Sequence, residues 1–379
     1  RTTAGARLQR RRYEWMKKAD AAAARFAAGV QLLDGGDLAA AERELRRALE
    51  LRPGHAETHY KLANACKERG KLTEAERHYL AALALDPRHA EAHNNLGAAL
   101  QLMQRAEAAQ ANYRSAIALK PGLSPPYLNL GRLLQQLGKA GEARACYVQA
   151  LAQGLDRGVF QHLLDAAQGA RTAQAPPAYV RATFDSFAQQ FDRHLVDTLD
   201  YRIPDMLSSA VRELSPPVQM DILDLGCGTG LCGDCLRDLA RRMVGVDLAP
   251  KMLELARGRG CYHELAQAEI GQYLPLQARA SFDLVVAADV LIYIGDIGQV
   301  VCEVARVLRP GGWFAFSIEE PSQACDNYRL EQSGRYAQSL VYVRNLAREH
   351  GFTERSCQNV AIRKHGAQAL SGQLLVLQK

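Results

Sequence analysis

Residues 221–230 read DILDLGCGTG and residues 243–250 read MVGVDLAP. Each is an apolar run that ends in a carboxylate, Asp224 in the first and Asp247 in the second. Gly226, Gly228 and Gly230 stand between them, with the small Cys227 in their midst, so the backbone can come close to a ligand. Asp247, followed by Leu248, is placed to accept hydrogen bonds from ribose hydroxyls. The third glycine comes one residue early for the G-x-G-x-x-G turn of dinucleotide sites. Asp224 would also repel a pyrophosphate seated at the following helix N-terminus. A carboxylate there suits a cation, with an attraction of roughly 4 kcal/mol at ~4 Å and an effective dielectric of ~20, before desolvation. S-adenosylmethionine (SAM) offers a sulfonium, a free amino group and a ribose but no phosphate, and it fits these residues. A nicotinamide coenzyme is the competing reading, and a glycine turn that only packs a strand on a helix is the plainest one.

The elements that must position these groups are alternating strands and helices of a doubly wound sheet. CYHELAQAEI at 261–270 reads as a third strand and its turn, and SFDLVVAADVLIYI at 281–294 as a fourth. VARVLRPGGWFAFSIEE at 304–320 reads as helix, turn and fifth strand, and GQLLVLQK closes the chain as a last strand. Taken in this order, residues 179–379 resemble the class I SAM-dependent methyltransferases. The resemblance implies an α/β Rossmann-like domain, SAM as cofactor and S-adenosylhomocysteine as product. It implies Asp247 at the ribose, Glu269 against the adenine amino group, and Asp289 and Tyr293 just beyond the fourth strand. Asp283, at the start of that strand, is expected to order a turn.

Methyl transfer needs a general base only when the acceptor must first lose a proton. His194 and Tyr293 are the catalytic candidates, with His263, His350 and His365 behind them. No Asn-Pro-Pro-Tyr or Asp-Pro-Pro-Tyr follows the fourth strand, where the chain reads Ala-Asp-Val-Leu. This disfavours that route to amino-group methylation and leaves O-, N-, S- and C-methylation open. Cys227, Cys232 and Cys235 have the spacing C-x4-C-x2-C, but no fourth ligand is apparent, so no metal is expected.

The N-terminal half repeats itself in the units 22–55, 56–89, 90–123 and 124–157. Small residues recur at Gly29, Ala63, Gly97 and Gly131, and alanines at Ala41, Ala75, Ala109 and Ala143 and again at Ala48, Ala82, Ala116 and Ala150. Pro53, Pro87 and Pro121 end three of the units, and Gly154 and Leu155 stand at the fourth. These units resemble tetratricopeptide (TPR) repeats, which stack into an all-α solenoid with a groove lined by first helices. The resemblance makes a protein or peptide the expected partner. Tyr60, Lys61, Asn64, Asn95, Asn129 and Arg132 are the candidate groove residues, although the family's full carboxylate clamp is not evident.

The fold expected is therefore two domains, an all-α TPR solenoid and an α/β Rossmann-like class I methyltransferase domain. A basic tail or helix is expected over 1–21, four repeats over 22–157, a capping helix and Pro-containing linker over 158–178, and the methyltransferase domain over 179–379. A leading lid helix carries Phe184, Phe187, Ala188, Phe191 and Leu195 at helical spacing. Tyr179, His194, Tyr201 and Arg202 are lid candidates beside the substrate, and Arg335 and Tyr336 lie in a polar loop that precedes a helix. The chain has 379 residues, with 48% hydrophobic and 23% charged residues, which is ordinary for a globular protein and gives room for both domains. Most of the +6 net charge lies in residues 1–20, where seven basic residues face Glu14 and Asp20, so nucleic acid is a minor expectation. No apolar run reaches ~18 residues. Nine scattered cysteines favour a reducing, cytoplasmic setting over a disulfide framework. The chain starts at Arg1, which is compatible with a processed or shortened start. Three functions compete: methylation of a protein held by the repeats, methylation of a small molecule with the repeats used for assembly, and an inactive methyltransferase-like scaffold.

Overall fold

The computed structural model describes residues 2–185, 201–365 and 368–379. The chain divides into two compact units, residues 1–155 and 156–379.

Among its described residues the first unit has eight helices: α1 (Thr2–Asp34), α2 (Leu38–Leu51), α3 (Ala56–Glu68), α4 (Leu72–Leu85), α5 (Ala90–Leu102), α6 (Ala106–Leu119), α7 (Ser124–Gln136) and α8 (Ala140–Ala152). They form four antiparallel pairs, one for each sequence repeat. The basic segment 1–21 is helical from Thr2 and runs without a break into the first helix of repeat one. The small residues are needed because paired helices approach closely. A Cβ on Gly97 would lie 2.7 Å from Tyr113 Cε1, and on Gly131 only 2.2 Å from Tyr147 Cε1. Tyr79, Tyr113 and Tyr147 recur at the repeat period and are buried, as Leu45 is at the matching place of the first repeat. The sequence reading named the small residues but not these large partners. Glu42 on α2 is buried between Arg46, Arg69 and Lys71. Burial pushes its carboxyl up, yet the hydrogen bonds from Lys71 and Arg69 prevail and hold it below its ordinary value.

The second unit starts with α9 (Arg157–Gln168), which Asp156 caps by accepting from Val159 N–H at 3.0 Å. The boundary thus differs from the sequence expectation, which gave 158–178 to a solenoid cap and linker. The buried His162 of α9 explains the difference, because its Nε2–H donates to the Gly334 carbonyl at 2.8 Å, far along the second unit. α10 (Pro177–Asp185) covers the first residues of the segment expected as a lid helix. Phe187, Ala188, Phe191, His194 and Leu195 lie outside the described residues.

α11 (Ile203–Glu213) leads into the sheet. Its strands are β1 (Met220–Leu225), β2 (Ala240–Asp247), β3 (Glu264–Gln267), β4 (Phe282–Ala287), β5 (Leu308–Glu319) and a final pair described below. A short hairpin follows β5, formed by β6 (Tyr328–Leu330) and β7 (Tyr336–Gln338). The sheet is completed by β8 (Thr353–His365) and β9 (Gln368–Gln378), in the order β3-β2-β1-β4-β5-β9-β8. The first five of these strands are parallel, and β9 runs antiparallel to both β5 and β8. Leu223, Leu225, Val244 and Val285 pack on one face, and Ile222, Met243, Leu284 and Val286 on the other, as a sheet covered on both sides requires. Helices α12 (Leu231–Leu236) and α13 (Pro250–Arg259) follow β1 and β2, and α14 (Ile270–Tyr273) and α15 (Gly298–Val307) follow β3 and β4.

The polar loop expected to hold Arg335 and Tyr336 is this β6–β7 hairpin, because Tyr336 and Ala337 are fully buried and pair in a strand. The helix after it is α16 (Leu340–Glu349). Asp283 does more than order a turn: it accepts from Asp221 N–H at 2.8 Å and pairs with Arg309 at 2.6 Å, joining the starts of β1 and β4. The chain order reverses between β1 and β4, and the crevice outside their carboxyl ends is where open α/β sheets bind ligands.

Candidate functional site

A cavity of about 460 Å³ opens at that crevice. Its floor is the glycine turn. Gly226 and Cys227 donate N–H bonds to the Val246 carbonyl at 2.7 and 3.0 Å, which ties the end of β1 to β2. Gly226, Gly228 and Gly230 have φ of 68°, 53° and 93°, a backbone region that favours glycine. Asp247 closes the turn from β2, its Oδ2 accepting from Gly228 N–H at 2.9 Å and its Oδ1 from Ala249 N–H at 2.8 Å. A carboxylate has about four acceptor positions, so each oxygen can accept more than one bond, as a ribose diol requires.

Asp224 is 1% exposed, and Tyr262 donates to its Oδ2 at 2.6 Å. Burial raises its carboxyl to about 7, against the pull of the Tyr262 hydrogen bond and with some help from the charge of Asp247. After β4 the chain turns at Asp289, whose φ of 53° is unusual for a residue with a side chain. Its N–H donates to Ser317 Oγ on β5 at 2.9 Å, which holds the turn in that conformation. Glu269 precedes α14, and its two oxygens accept from Gln174 and Gln272 at 3.1 Å each. The strap 173–175 forms one rim: Ala175 N–H donates to the Tyr293 carbonyl at 2.9 Å, and Gly295 and Asp296 donate to the Ala173 carbonyl. The Tyr293 ring meets Phe184 edge-on at 5.5 Å.

Of the residues expected at the site, Asp224, Gly226, Cys227, Gly228, Asp247, Leu248, Glu269, Asp289, Tyr293, Tyr201 and Arg335 line this one cavity. Gly230 instead starts α12 and packs against Arg259 and Tyr262. Arg202 caps α11 as an exposed residue and is not among the lining residues. Tyr336 is corrected: it is 0% exposed, bonds Thr172 through its hydroxyl at 2.6 Å and does not reach the cavity. Its strand pairing with β6 is what turns it inward. His194 lies outside the described residues.

The six groove candidates belong to the other unit. Asn95 donates to Tyr60 Oη at 3.1 Å and to Asn64 Oδ1 at 3.0 Å, and Asn129 donates to Asn94 Oδ1 at 3.0 Å. With Asn94 donating to Asn95 Oδ1 at 3.0 Å, the amides form a ladder across α3, α5 and α7. Lys61 lies over the Tyr60 ring at 5.4 Å and 3.6 Å from Glu57, and Arg132 is half-buried on α7.

Sequence reasoning missed Tyr262, Ser317 and Arg259. The Arg259 Nε–H donates to the Thr229 carbonyl at 2.6 Å and its guanidinium pairs with Asp234, so it pins the glycine turn to α12 and α13. No motif marks these residues, because each acts on a partner distant in sequence. Arg335 is the sole Lys or Arg among the described lining residues, and Glu319 pairs with it at 2.8 Å. The donor set is thus acidic and suits SAM rather than a phosphate-bearing coenzyme.

Comparison with known proteins agrees with this geometry. A family model for a methyltransferase domain matches residues 223–316. Models for a TPR repeat and a tetratricopeptide repeat match residues 63–104, 90–122 and 124–152. The ubiquinone biosynthesis O-methyltransferase of Albidiferax ferrireducens is 35% identical over 28% of this chain and 44% of the relative. The malonyl-[acyl-carrier protein] O-methyltransferase of Serratia marcescens is 38% identical over 25% of this chain and 37% of the relative. The chain therefore spans less than half the length of these two relatives. A solved Burkholderia thailandensis 1,6-didemethyltoxoflavin-N1-methyltransferase, with bound 1,6-didemethyltoxoflavin and S-adenosylhomocysteine, is 22% identical. It covers 56% of this chain and 93% of its own, with a TM-score of 0.43. The chain thus carries TPR repeats in its N-terminal half and a methyltransferase domain in its C-terminal half.

Proposed function

We propose that the protein transfers a methyl group from SAM to an acceptor that enters the apolar side of the cavity, beside Val180, Phe184, Tyr201 and Tyr293. The observation that carries this reading is the pairing of two carboxylates, Asp224 and Asp247, with a glycine turn in one cavity whose described lining holds a single, already paired Lys or Arg. When bound, SAM supplies a methyl group already activated by its sulfonium. The chain's own task is to align and to exclude water. Asp247 takes the ribose hydroxyls, Glu269 the adenine edge, and Asp224 the cationic part of the donor. The turn at Asp289 closes over the glycine loop through Val290, and the rings of Phe184, Tyr201 and Tyr293 keep the reacting side dry. Tyr293, which lines the cavity, is our candidate to take a proton from an acceptor that must lose one.

The acceptor, in this proposal, is a protein or peptide held by the TPR groove. The Asn ladder supports it in part, because amides on successive first helices present a row of polar groups, although they already bond one another. A small-molecule acceptor is the second reading, and a specific observation favours it: the relatives above are named for ubiquinone biosynthesis and malonyl-[acyl-carrier protein] methylation. No helix among the described residues is long and apolar enough to cross a membrane. All nine cysteines are free, which supports a reducing compartment such as the cytoplasm. The test is transfer of labelled methyl from SAM into a cell extract by the full chain. Label in a protein band that falls when Lys61 and Arg132 are both changed to Glu, with S-adenosylhomocysteine affinity unchanged, supports the groove. Label confined to small molecules supports the second reading, and no label at all favours a scaffold.

A further inference from the structure

Tyr262 lies between the end of α13 and the start of β3, and its ring fills a slot made by three glycines on three different segments. A Cβ built on Gly230 would lie 3.0 Å from its Cε2, on Gly233 2.6 Å from its Cζ, and on Gly245 2.9 Å from its Cδ1. These glycines belong to the cofactor turn, α12 and β2, so the ring is gripped from several sides. The slot leads its hydroxyl to Asp224 Oδ2 at 2.6 Å. Tyr262 is absent from the residues that line the cavity. Its hydroxyl therefore bonds the carboxylate while Tyr262 itself does not line the cavity.

Among the described residues, the titratable groups that face Asp224 are Tyr262, Asp247 and the thiols of Cys227, Cys232 and Cys261. None is a cation. A buried carboxylate beside a second carboxylate is disfavoured in its charged form, and a hydroxyl donor is what the surroundings offer to offset this. We propose that Tyr262 is a positioning residue that holds Asp224 charged and aimed at the amino group of the methyl donor, the cation that S-adenosylhomocysteine shares with it. This rests on the methyl-donor reading above.

The direction of the effect follows from the surroundings. Burial lifts Asp224 to about 7, and the Tyr262 bond works against that lift. Burial also pushes the Tyr262 hydroxyl far above its ordinary value, so it stays a donor throughout the useful pH range. Loss of the hydroxyl raises the Asp224 pKa further. Donor binding, which needs the carboxylate, then fades at a higher pH on acidification.

The test is calorimetric titration of the full chain with S-adenosylhomocysteine from pH 5.5 to 8.5, for wild type, Tyr262→Phe and a chain with ring-fluorinated tyrosine at 262. Phe keeps the ring in its slot, and fluorotyrosine keeps the whole shape while making the hydroxyl a stronger donor. The expected result is an acid-side midpoint about one pH unit higher in Tyr262→Phe, so affinity falls about tenfold near pH 6.5 and little at pH 8.5. The fluorinated chain moves the midpoint the other way, and it decides the matter if Tyr262→Phe fails to fold. A midpoint unchanged in either folded variant overturns the proposal, as does a uniform loss of affinity at every pH, which a purely structural role would give. Wild type that binds no S-adenosylhomocysteine at any pH removes the methyl-donor reading itself, and this proposal with it.

Discussion

Gly226→Ala tests whether the glycine turn needs its geometry or only small residues. Gly226 sits at φ 68°, where an alanine pays ~1–2 kcal/mol in backbone strain. An added Cβ would also lie 2.3 Å from Val290 Cγ2 and 2.7 Å from Val290 Cβ, in the turn that closes the cavity after β4. Overpacking of this kind costs ~1–3 kcal/mol, so the total is about 2–5 kcal/mol. For a unit of this size each kcal/mol lowers the melting temperature by about 2–4 °C, which gives a fall of about 4–20 °C in the transition of the second unit. Affinity for S-adenosylhomocysteine falls by at least about tenfold, because either the turn or Val290 must move from the ligand's place. Adding Val290→Ala removes the methyl contacts but leaves the Cβ contact and the backbone strain. The double variant therefore recovers part of the stability and not all of it. Calorimetric melting and ligand titration of the three proteins check this. If Gly226→Ala melts within about 1 °C of wild type and binds the ligand equally well, the close approach of backbone and Val290 is not what the turn requires.

Gly131→Ala in α7 costs about 1–3 kcal/mol because Tyr147 fills the space beside it, whereas Gly54→Ala, with open space around it, leaves the melting of the repeats near wild type. Glu42→Gln destabilises the repeats by about 1–3 kcal/mol at neutral pH. Since the folded Glu42 carboxyl lies below its unfolded value of 4.5, its contribution is present above that value and lost as pH falls through the folded one. The variant accordingly shows a smaller loss of stability on acidification below pH 4.5, read by melting curves of both proteins. Asp247→Asn leaves Gly228 N–H and Ala249 N–H an oxygen and a nitrogen in place of two oxygens, and lowers S-adenosylhomocysteine affinity by about tenfold or more in titration calorimetry.

The architecture was legible wherever a motif and its neighbours act locally. The glycine turn, the carboxylates that end β1 and β2, and the turn after β4 each lie within a few residues of a strand end, so their meeting at one cavity follows once the strand order is known. The repeat period likewise shows in Gly97 and Gly131, which are small for a local reason. Their partners Tyr113 and Tyr147 recur just as regularly, but a large aromatic does not announce which helix it fills. Tyr262 and Arg259 were hidden for a stronger reason. Their roles depend on where β1, β2 and α12 come to rest, and a Tyr before a strand or an Arg at a helix end reads the same in many folds. Tyr336 misled in the opposite direction, since a polar run around it read as a loop while strand pairing with Leu330 turns its ring inward. The placement of α9 with the second unit was hidden as well, because the partner of His162 is the carbonyl of Gly334.

The central claim is that the cavity beside Asp224 holds a positively charged sulfur donor. Titration of the purified full chain with SAM and, separately, with NAD and NADP at pH 8 tests it most directly. The account predicts saturable binding of SAM that is lost on Asp224→Asn, and no binding of either dinucleotide. Tight uptake of a dinucleotide by a chain indifferent to SAM would contradict it.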